Sequence, residues 1–333
     1  MKKACIVVSS VYQNNQLFDL SNPTLNRDNC LFGFYLLKQE FKKYNIDLST
    51  YDINHPNDSD VVIYNEIPKK VLKNTDKNKS YLLIFESELI RLDNWSLEKH
   101  KYFGKIFTWN DKFVDNKKYF KLNFSHLLPK NINKDMSKKN KLCTMIAGNK
   151  KIKHPLELYS KREESIRWFE KYHPDDFDLY GREWDIYAYQ NRYIEFLFRK
   201  IKLNNLFKAN FPSYKGRVDS KKNTLEKYKF SICYENAKDI PGYITEKIFD
   251  CFLAGCVPIY WGANNITDHI PSNCFIDKRK FNTYEKLYQY ISNMSDDEYV
   301  RYLDNIEIFF NSDSAKQFTH QYFVKTIVSN VGK

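Results

Sequence analysis

Short apolar runs alternate along the chain with longer stretches in which apolar residues recur at helical spacing. Eight of the runs predict strands, at residues 4–8, 61–64, 81–85, 106–109, 142–146, 177–180, 230–234 and 257–260. Five of the longer stretches predict helices, at residues 31–44, 160–172, 246–253, 299–310 and 317–331. Strands that alternate with helices in this way are typical of parallel α/β sheets.

A polar segment rich in Lys and Asn, residues 129–141, separates the two groups of strands and is predicted to be a linker. The chain has 333 residues, a length that suits two domains. We therefore predict an N-terminal α/β domain over 1–135 and a C-terminal α/β domain over 141–333. The last helix is assigned to the second domain, with packing across to the first domain as the alternative.

Composition narrows the class of protein. Hydrophobic residues make up 42% and charged residues 28% of the chain, which excludes a wholly disordered protein. The formal net charge of +12 favours anionic partners such as nucleotides, phosphorylated donors or acidic lipid surfaces, although a solvated Lys-rich and Asn-rich surface has the same balance. The sequence shows no zinc-finger spacing, basic heptad or stacking-aromatic pattern, so nucleic acid is not an expected partner.

Cysteine usage and the N-terminus predict a cellular compartment. The seven cysteines include no C-x-x-C pair, and most of them lie in apolar runs, which is typical of reduced, buried thiols. The first apolar run, 4–8, is shorter than the core of a signal peptide and fits a buried strand. We expect a cytoplasmic protein, and its basic surface leaves peripheral contact with the inner face of a membrane open.

The segment from Tyr228 to Gly262 carries the clearest candidate chemistry. A buried strand ends in Glu235 and Asn236, at the edge of a parallel sheet where α/β proteins bind ligands. A Pro-Gly turn follows, and the next helix opens with Thr245, Glu246 and Lys247. Free amides at a helix N-terminus and a nearby ammonium form a phosphate site without a metal, and a carboxylate there can accept hydrogen bonds from a ribose. The alternative is that Thr245 and Glu246 only cap the helix and Lys247 is solvated.

This segment resembles the signature of the α-1,3-fucosyltransferase family, glycosyltransferase family 10. The elements of the pattern are Tyr234-Glu235-Asn236, Tyr243-Ile244-Thr245-Glu246-Lys247, Pro258-Ile259 and Gly262. Weaker similarity covers 142–149 with 158–162, and also 81–89, so that the resemblance extends over roughly residues 60–280. Residues 1–60 match no pattern of the family.

The resemblance implies a GT-B architecture, in which two Rossmann-like domains face a central cleft. It also implies GDP-fucose as the donor, inversion at the anomeric carbon, and general-base catalysis that requires neither a cofactor nor a metal. Glu86 is the implied base, with Glu88 as the alternative. For the donor site, the resemblance implies that Arg162 contacts the diphosphate, with Arg167 as the alternative in a shifted register.

The remaining donor-site residues of the resemblance have distinct implied roles. Tyr243 would contact the nucleotide and Glu246 the ribose, while Glu235 and Asn236 would orient fucose or the helix that begins at Thr245. Lys247, together with Arg162, would stabilise the leaving GDP. The resemblance implies a glycan or glycoconjugate acceptor and favours α-1,3 transfer to an N-acetylglucosamine or glucose-type residue, but the sequence leaves the acceptor's identity and the linkage open.

Three other interpretations compete with this one. The triplets Asp58-Ser59-Asp60 and Asp176-Phe177-Asp178 have the spacing that some transferases use to hold a divalent cation. The donor could instead be another GDP-linked 6-deoxyhexose. The chain could also be a catalytically silent module that binds a nucleotide sugar.

Overall fold

A computed structural model describes residues 1–68, 76–189 and 208–331 of the chain. The described residues fall into two compact units. The first unit contains Met1–Leu128, Pro241–Ile244 and the residues from Asp313 onward, and the second contains those of Pro129–Ile240 and Thr245–Ser312.

The described part of the first unit is built on a sheet of six parallel strands. They are β1 (Lys2–Val7), β2 (Ile46–Thr50), β3 (Val61–Asn65), β4 (Ser80–Ile84), β5 (Lys105–Thr108) and β6 (Tyr119–Lys121), in the spatial order β2-β1-β3-β4-β5-β6. Each neighbouring pair is parallel. The central strands β3 and β4 bury residues of both faces, as a parallel sheet covered on two sides requires. Their carboxyl ends lie side by side, with Asn65 opposite Leu83.

Helices α1 (Phe32–Lys43) and α2 (Leu97–His100) and the C-terminal helix (His320–Asn330) belong to this unit. The C-terminal helix buries Phe323 and Ile327 in the same apolar core as Leu37 and Phe41 of α1. Apolar packing therefore holds the end of the chain in the first unit. This arrangement is the alternative stated for the last helix, and it differs from the predicted limit of 141–333 for the second domain.

The second unit has its own parallel sheet. Its described strands are β7 (Lys141–Ile146), β8 (Phe177–Tyr180), β9 (Tyr228–Tyr234), β10 (Val257–Trp261) and β11 (Ile276–Asp277), in the order β11-β10-β9-β7-β8. Its described helices are α3 (Tyr159–Tyr172), α4 (Lys221–Leu225), α5 (Glu246–Leu253), α6 (Tyr284–Ser292) and α7 (Asp296–Phe310). Ser295 caps α7, because its side chain accepts a hydrogen bond from the Glu298 backbone N–H at 3.2 Å.

The predicted linker is packed against the second unit. Lys134 Nζ lies 2.8 Å from Asp304 and 2.9 Å from Glu307, both on α7, and the Ile132 backbone N–H also donates to Glu307. Lys139 is buried and donates to the carbonyl oxygen of Ala254 at 3.1 Å. Two lysines of the predicted linker, Lys134 and Lys139, are thus satisfied by protein carboxylates and a carbonyl. The division between the units falls at residues 128 and 129.

Each predicted strand is present, with ends that differ from the prediction by at most two residues. The strands β2, β6 and β11 were not predicted. Within the described ranges, no helix is both long enough and apolar enough to cross a bilayer.

Candidate functional site

The carboxyl end of β9 is tied to the start of α5 by one buried side chain. Glu235 follows β9, is fully buried, and accepts from the Thr245 backbone N–H through Oε1 at 2.8 Å and from the Thr245 hydroxyl through Oε2 at 2.7 Å. Thr245 is the residue that caps α5, as predicted, and its hydroxyl accepts from the Lys247 backbone N–H. A Cβ at Gly262 would lie 2.5 Å from Glu235 Cγ, so only glycine leaves room for the Glu235 side chain at that position. Glu235 therefore fixes the N-terminus of α5.

Charged side chains surround this helix N-terminus. Lys247 Nζ lies 3.3 Å from Glu235 Oε2, 3.6 Å from Glu246 Oε1 and 3.0 Å from the Thr245 hydroxyl. Lys221 Nζ lies 2.7 Å from Asp250 and 3.9 Å from Glu246. Although burial favours the neutral amine, Asp250 and Glu246 raise the pKa of Lys221. Two ammonium groups thus flank Glu246, the residue predicted to hold a ribose, and the sequence analysis missed one of them, Lys221.

Arg162 and Asn236 are hydrogen-bonded to each other at the carboxyl end of β9. Arg162 is buried on α3, and its Nη2 donates to the carbonyl oxygen of Tyr234 at 2.6 Å and to Asn236 Oδ1 at 3.0 Å. Arg167, the alternative, donates instead to Glu170 and to the carbonyl oxygen of Asn210. Of the two arginines, the structure brings Arg162 to the strand end that carries Glu235.

The turn before α5 lies in the first unit. Tyr243 is buried, and its ring centroid is 4.6 Å from that of Trp109. Gly242 has a φ of +77°, and a Cβ there would lie 2.3 Å from the carbonyl oxygen of Trp109. The Asp111 backbone N–H donates to the carbonyl oxygen of Pro241. Tyr243, which the resemblance implies to contact the nucleotide, therefore packs against the indole of Trp109.

Glu86 and Glu88 follow β4, and both are half-buried. Two indoles hold the backbone at this strand end: Trp95 Nε1 donates to the carbonyl oxygen of Glu86 at 3.1 Å, and Trp109 Nε1 donates to that of Phe85 at 2.8 Å. Trp95 and Trp109 pack together, with ring centroids 5.2 Å apart. The two indoles therefore hold in place the backbone that carries the candidate base, Glu86.

Sequence reasoning also missed Glu66, which follows the adjacent strand β3. Its Oε1 accepts from the backbone N–H groups of Phe85 and Glu86, each at 3.0 Å, and its Oε2 accepts from Asn94 Nδ2. Burial, with a smaller contribution from the charge of Glu86, raises the pKa of Glu66 to about 7. The available signal was its position, because Glu66 lies two residues after the predicted strand 61–64 and Glu86 directly follows the predicted strand 81–85.

The competing metal motifs have protein partners in the structure. Asp60 accepts from the Lys3 backbone N–H, and Asp176 accepts from the Tyr288 hydroxyl at 2.6 Å. Asp178 pairs with Lys141 and Lys215. Among the residues that the model describes, no group of three or more His, Cys, Asp or Glu side chains is arranged to hold a metal ion. All seven cysteines lie in the described ranges as thiols, and six of them are buried, with Cys30 the exposed exception.

Comparison with known proteins points to one family. The family model for glycosyltransferase family 10 (fucosyltransferase), C-terminal region, matches residues 136–326, more than half of the chain. An α-(1,4)-fucosyltransferase of Arabidopsis thaliana is 38% identical over 73 residues, which are 22% of this chain and 18% of that protein. The α-(1,3)-fucosyltransferase FucT of Helicobacter pylori is 29% identical over 123 residues, 34% of this chain and 25% of that protein. The matched segments thus span about a fifth to a quarter of these relatives.

A solved structure resembles nearly the whole chain. The crystal structure of an α1,3-fucosyltransferase with GDP-fucose superposes with a TM-score of 0.55 at 15% sequence identity, over 100% of this chain and 90% of that chain. At this level of identity the likeness shows the fold. Together with the two parallel sheets, it confirms the predicted GT-B class of two Rossmann-like domains.

Proposed function

Because this chain belongs to glycosyltransferase family 10, the fucosyltransferase family, we propose that it transfers L-fucose from GDP-fucose to a hydroxyl group of a glycan acceptor. The single observation that supports the donor assignment most directly is the N-terminus of α5. A buried carboxylate, Glu235, fixes the amide and hydroxyl of Thr245, and Lys247 stands at the same helix end. Helix N-termini attract anions through their free amides and dipole, so a diphosphate is the fitting ligand.

The donor would be held by the residues of the predicted donor site. Lys247, Arg162 and the first amides of α5 would contact the diphosphate, and Arg162 would also support the strand end through Asn236. Glu246, which is 43% exposed at the side chain and flanked by two ammonium groups, would accept the ribose hydroxyls. Tyr243 would contact the nucleotide from its place beside Trp109.

Glu86 would act as the general base. Its carboxylate would take the proton from the acceptor hydroxyl while the acceptor oxygen forms a bond to the anomeric carbon, and the bond from that carbon to the diphosphate would break on the opposite face, with inversion. The negative charge that develops on GDP would be stabilised by Lys247 and the α5 amides, which are oriented before the reaction begins. These groups supply the charge compensation that a divalent ion gives in other transferases, so we propose metal-independent transfer.

We further propose an α-1,3 linkage to an N-acetylglucosamine or glucose-type residue. The support for this linkage is similarity to the family, because the H. pylori relative is named as an α-(1,3)-fucosyltransferase. The A. thaliana relative is named as an α-(1,4)-fucosyltransferase, so the relatives differ in linkage. Linkage therefore belongs among the quantities to be measured.

Thermal unfolding with a ligand panel tests the donor. GDP, GDP-fucose, GDP-mannose, UDP-sugars and CMP-sugars are added separately in the presence of EDTA, because a ligand that binds the folded state raises Tm, by an amount equivalent to about 2.7 kcal/mol at a concentration of 100 Kd. Stabilisation confined to guanosine ligands is expected. Stabilisation by UDP- or CMP-sugars instead, or only after Mn²⁺ is restored, would contradict the proposed donor site.

Transfer itself is then measured with GDP-fucose and acceptors that end in N-acetylglucosamine, N-acetyllactosamine or glucose. The readouts are GDP release and the mass and linkage of the product. GDP-fucose binding without any product on the acceptor panel, or efficient use of another GDP-linked 6-deoxyhexose in place of fucose, would overturn the proposed reaction.

A further inference from the structure

We propose that Glu66 is a positioning residue for the general base: its carboxyl group anchors the backbone that carries Glu86. This inference rests on the proposed function, because it assigns Glu66 a part in the step that Glu86 performs. It concerns the first unit only, where Glu66 and Glu86 follow the adjacent parallel strands β3 and β4.

The backbone at Glu66 is held in a conformation that directs its side chain across the sheet edge. Glu66 has a φ of +73°, which is in the left-handed region that non-glycine residues rarely adopt. Its own N–H still donates to the carbonyl oxygen of Leu83 at 2.9 Å, so the ladder to β4 continues to this point. A conformation of this kind costs of order 1–3 kcal/mol and is retained where surrounding contacts determine it.

The hydrogen bonds of Glu66 explain why this unfavourable backbone conformation is retained. One oxygen, Oε1, accepts two consecutive backbone amides, those of Phe85 and Glu86. The other oxygen accepts from Asn94, which is buried, and Asn94 Oδ1 accepts in turn from the Ile67 backbone N–H at 3.0 Å. The Ile67 contact requires the Asn94 amide to turn its NH₂ group toward Glu66.

The dipeptide Phe85–Glu86 is therefore held from both sides. Glu66 binds its two N–H groups, and the indoles of Trp109 and Trp95 bind its two carbonyl oxygens. With all four backbone polar groups fixed by side chains, the Cα–Cβ bond of Glu86 has one direction. Geometry of this quality matters in catalysis, because a misplacement of about 1 Å can cost about 100-fold in rate.

The electrostatic surroundings of Glu66 make the anchor sensitive to pH. The facing charged groups are Glu86 from the end of β4, and Arg91, which pairs with Asp93 at 2.9 Å. His100, behind Asn94, has its pKa lowered by burial and is neutral near pH 7. Since burial raises the pKa of Glu66 to about 7, this carboxyl group gains its charge near neutrality. A second negative charge beside Glu86 makes Glu86 a stronger base.

The test compares the purified wild-type protein with Glu66→Ala, Glu66→Gln and the control Glu98→Gln. Glu98 lies on α2 in the same unit, is 81% exposed at the side chain and pairs with the exposed Lys101, so Glu98→Gln makes the same chemical change away from the site. For each variant, kcat and the KM for GDP-fucose are measured from pH 5.5 to 8.5, together with Tm with and without GDP.

We expect Glu66→Ala to lower kcat about 100-fold, with the KM for GDP-fucose and the GDP-induced rise in Tm within about twofold of the wild-type values. Glu66→Gln keeps an oxygen that can accept both backbone amides, although its NH₂ group then faces that of Asn94, and it should restore kcat to within about tenfold of wild type. Its kcat profile should lack the rise near pH 7 that the wild type and Glu98→Gln show.

Three results would overturn the inference while leaving the proposed function intact. They are a Glu66→Ala variant that transfers fucose within about threefold of the wild-type kcat, equal losses in kcat and donor binding, and a pH profile of Glu66→Gln that superposes on the wild-type profile. Absence of fucose transfer by the wild type is a separate outcome, which rejects the proposed function and with it any role of Glu66 in that reaction.

Discussion

Two carboxylates, one in each unit, perform the same mechanical task among opposite neighbours. In the second unit, Glu235 fixes the start of α5 and has Lys247 3.3 Å away. In the first unit, Glu66 fixes the end of β4 and has the carboxylate of Glu86 beside it, with its pKa raised to about 7. The cation beside Glu235, Lys247, suits a site proposed to bind an anionic donor. The like charge beside Glu66 suits a site that must bind a proton and release it.

The largest expected effect is on the first-unit side of this comparison. Glu86→Gln removes the proposed base and should lower kcat about 1,000-fold while GDP-fucose still stabilises the fold, because a general base contributes roughly 10²–10⁴ in rate. Initial rates of GDP release with acceptor, and Tm shifts with donor, measure the two quantities. Glu88→Gln is the matched control. If Glu88→Gln shows the large loss and Glu86→Gln does not, the base is Glu88.

The next effect tests the carboxylate of the second unit. Glu235→Ala leaves the Thr245 amide and the Lys247 ammonium without their buried acceptor, and breaking such a pair costs about 3 kcal/mol. The Tm of the unfolding transition that responds to GDP should therefore fall by about 6–12 °C. Glu285→Ala, at a side chain 52% exposed on α6, should change that transition little. Equal Tm values for the two variants would show that Glu235 does not stabilise the start of α5.

A smaller effect separates the donor site from the base. Lys247→Met should weaken GDP binding about tenfold or somewhat more, because one charge-assisted contact to a phosphate is lost. Isothermal titration with GDP gives the affinity directly. Lys222→Met, which removes an ammonium 61% exposed on α4, is the control and should leave the GDP affinity unchanged. An unchanged affinity in Lys247→Met would show that the diphosphate lies elsewhere.

The smallest expected effect concerns stability and pH. The pKa of Glu66 is raised in the folded protein from its ordinary 4.5 to about 7, so the folded state binds this proton more tightly than the unfolded state. The resulting stabilisation is present below about pH 4.5 and is lost as the pH rises to about 7. Relative to wild type, Glu66→Gln should gain about 2–5 °C in Tm between pH 6 and pH 7.5, measured without ligand. A constant difference in Tm across that range would contradict the raised pKa.

The sequence predicted the parallel α/β fold well because its central strands are buried on both faces and read as continuous apolar runs. The strands it did not predict lack that pattern. In β2, Asp47 and Ser49 interrupt the apolar residues, and β11 has two residues. The segment 129–141 was predicted to be a linker because it is rich in Lys and Asn. The partners of Lys134 are two carboxylates on α7, about 170 residues further along the chain, and nothing in the local sequence indicates them.

The site was predicted as far as its residues lie in one motif. Thr245 as the cap of α5 could be predicted because a cap acts on backbone groups two or three residues away. The partners Lys221 and Glu66 come from separate segments, and their place depends on which strands and helices become neighbours. Glu66 could have been proposed from strand ends alone once β3 and β4 are taken as adjacent, since the carboxyl ends of neighbouring parallel strands share one edge.

The short segment Pro241–Ile244 belongs to the first unit, although the residues on both sides of it belong to the second. For protein engineering, this connectivity means that donor preference cannot be exchanged between relatives by transplanting one continuous module. A chimaera that replaced residues 129–312 as a block would carry a foreign Gly242 and Tyr243 onto the native Trp109. A working chimaera would have to keep residues 241–244 from the same parent as β5 and Trp109, which directly follows that strand.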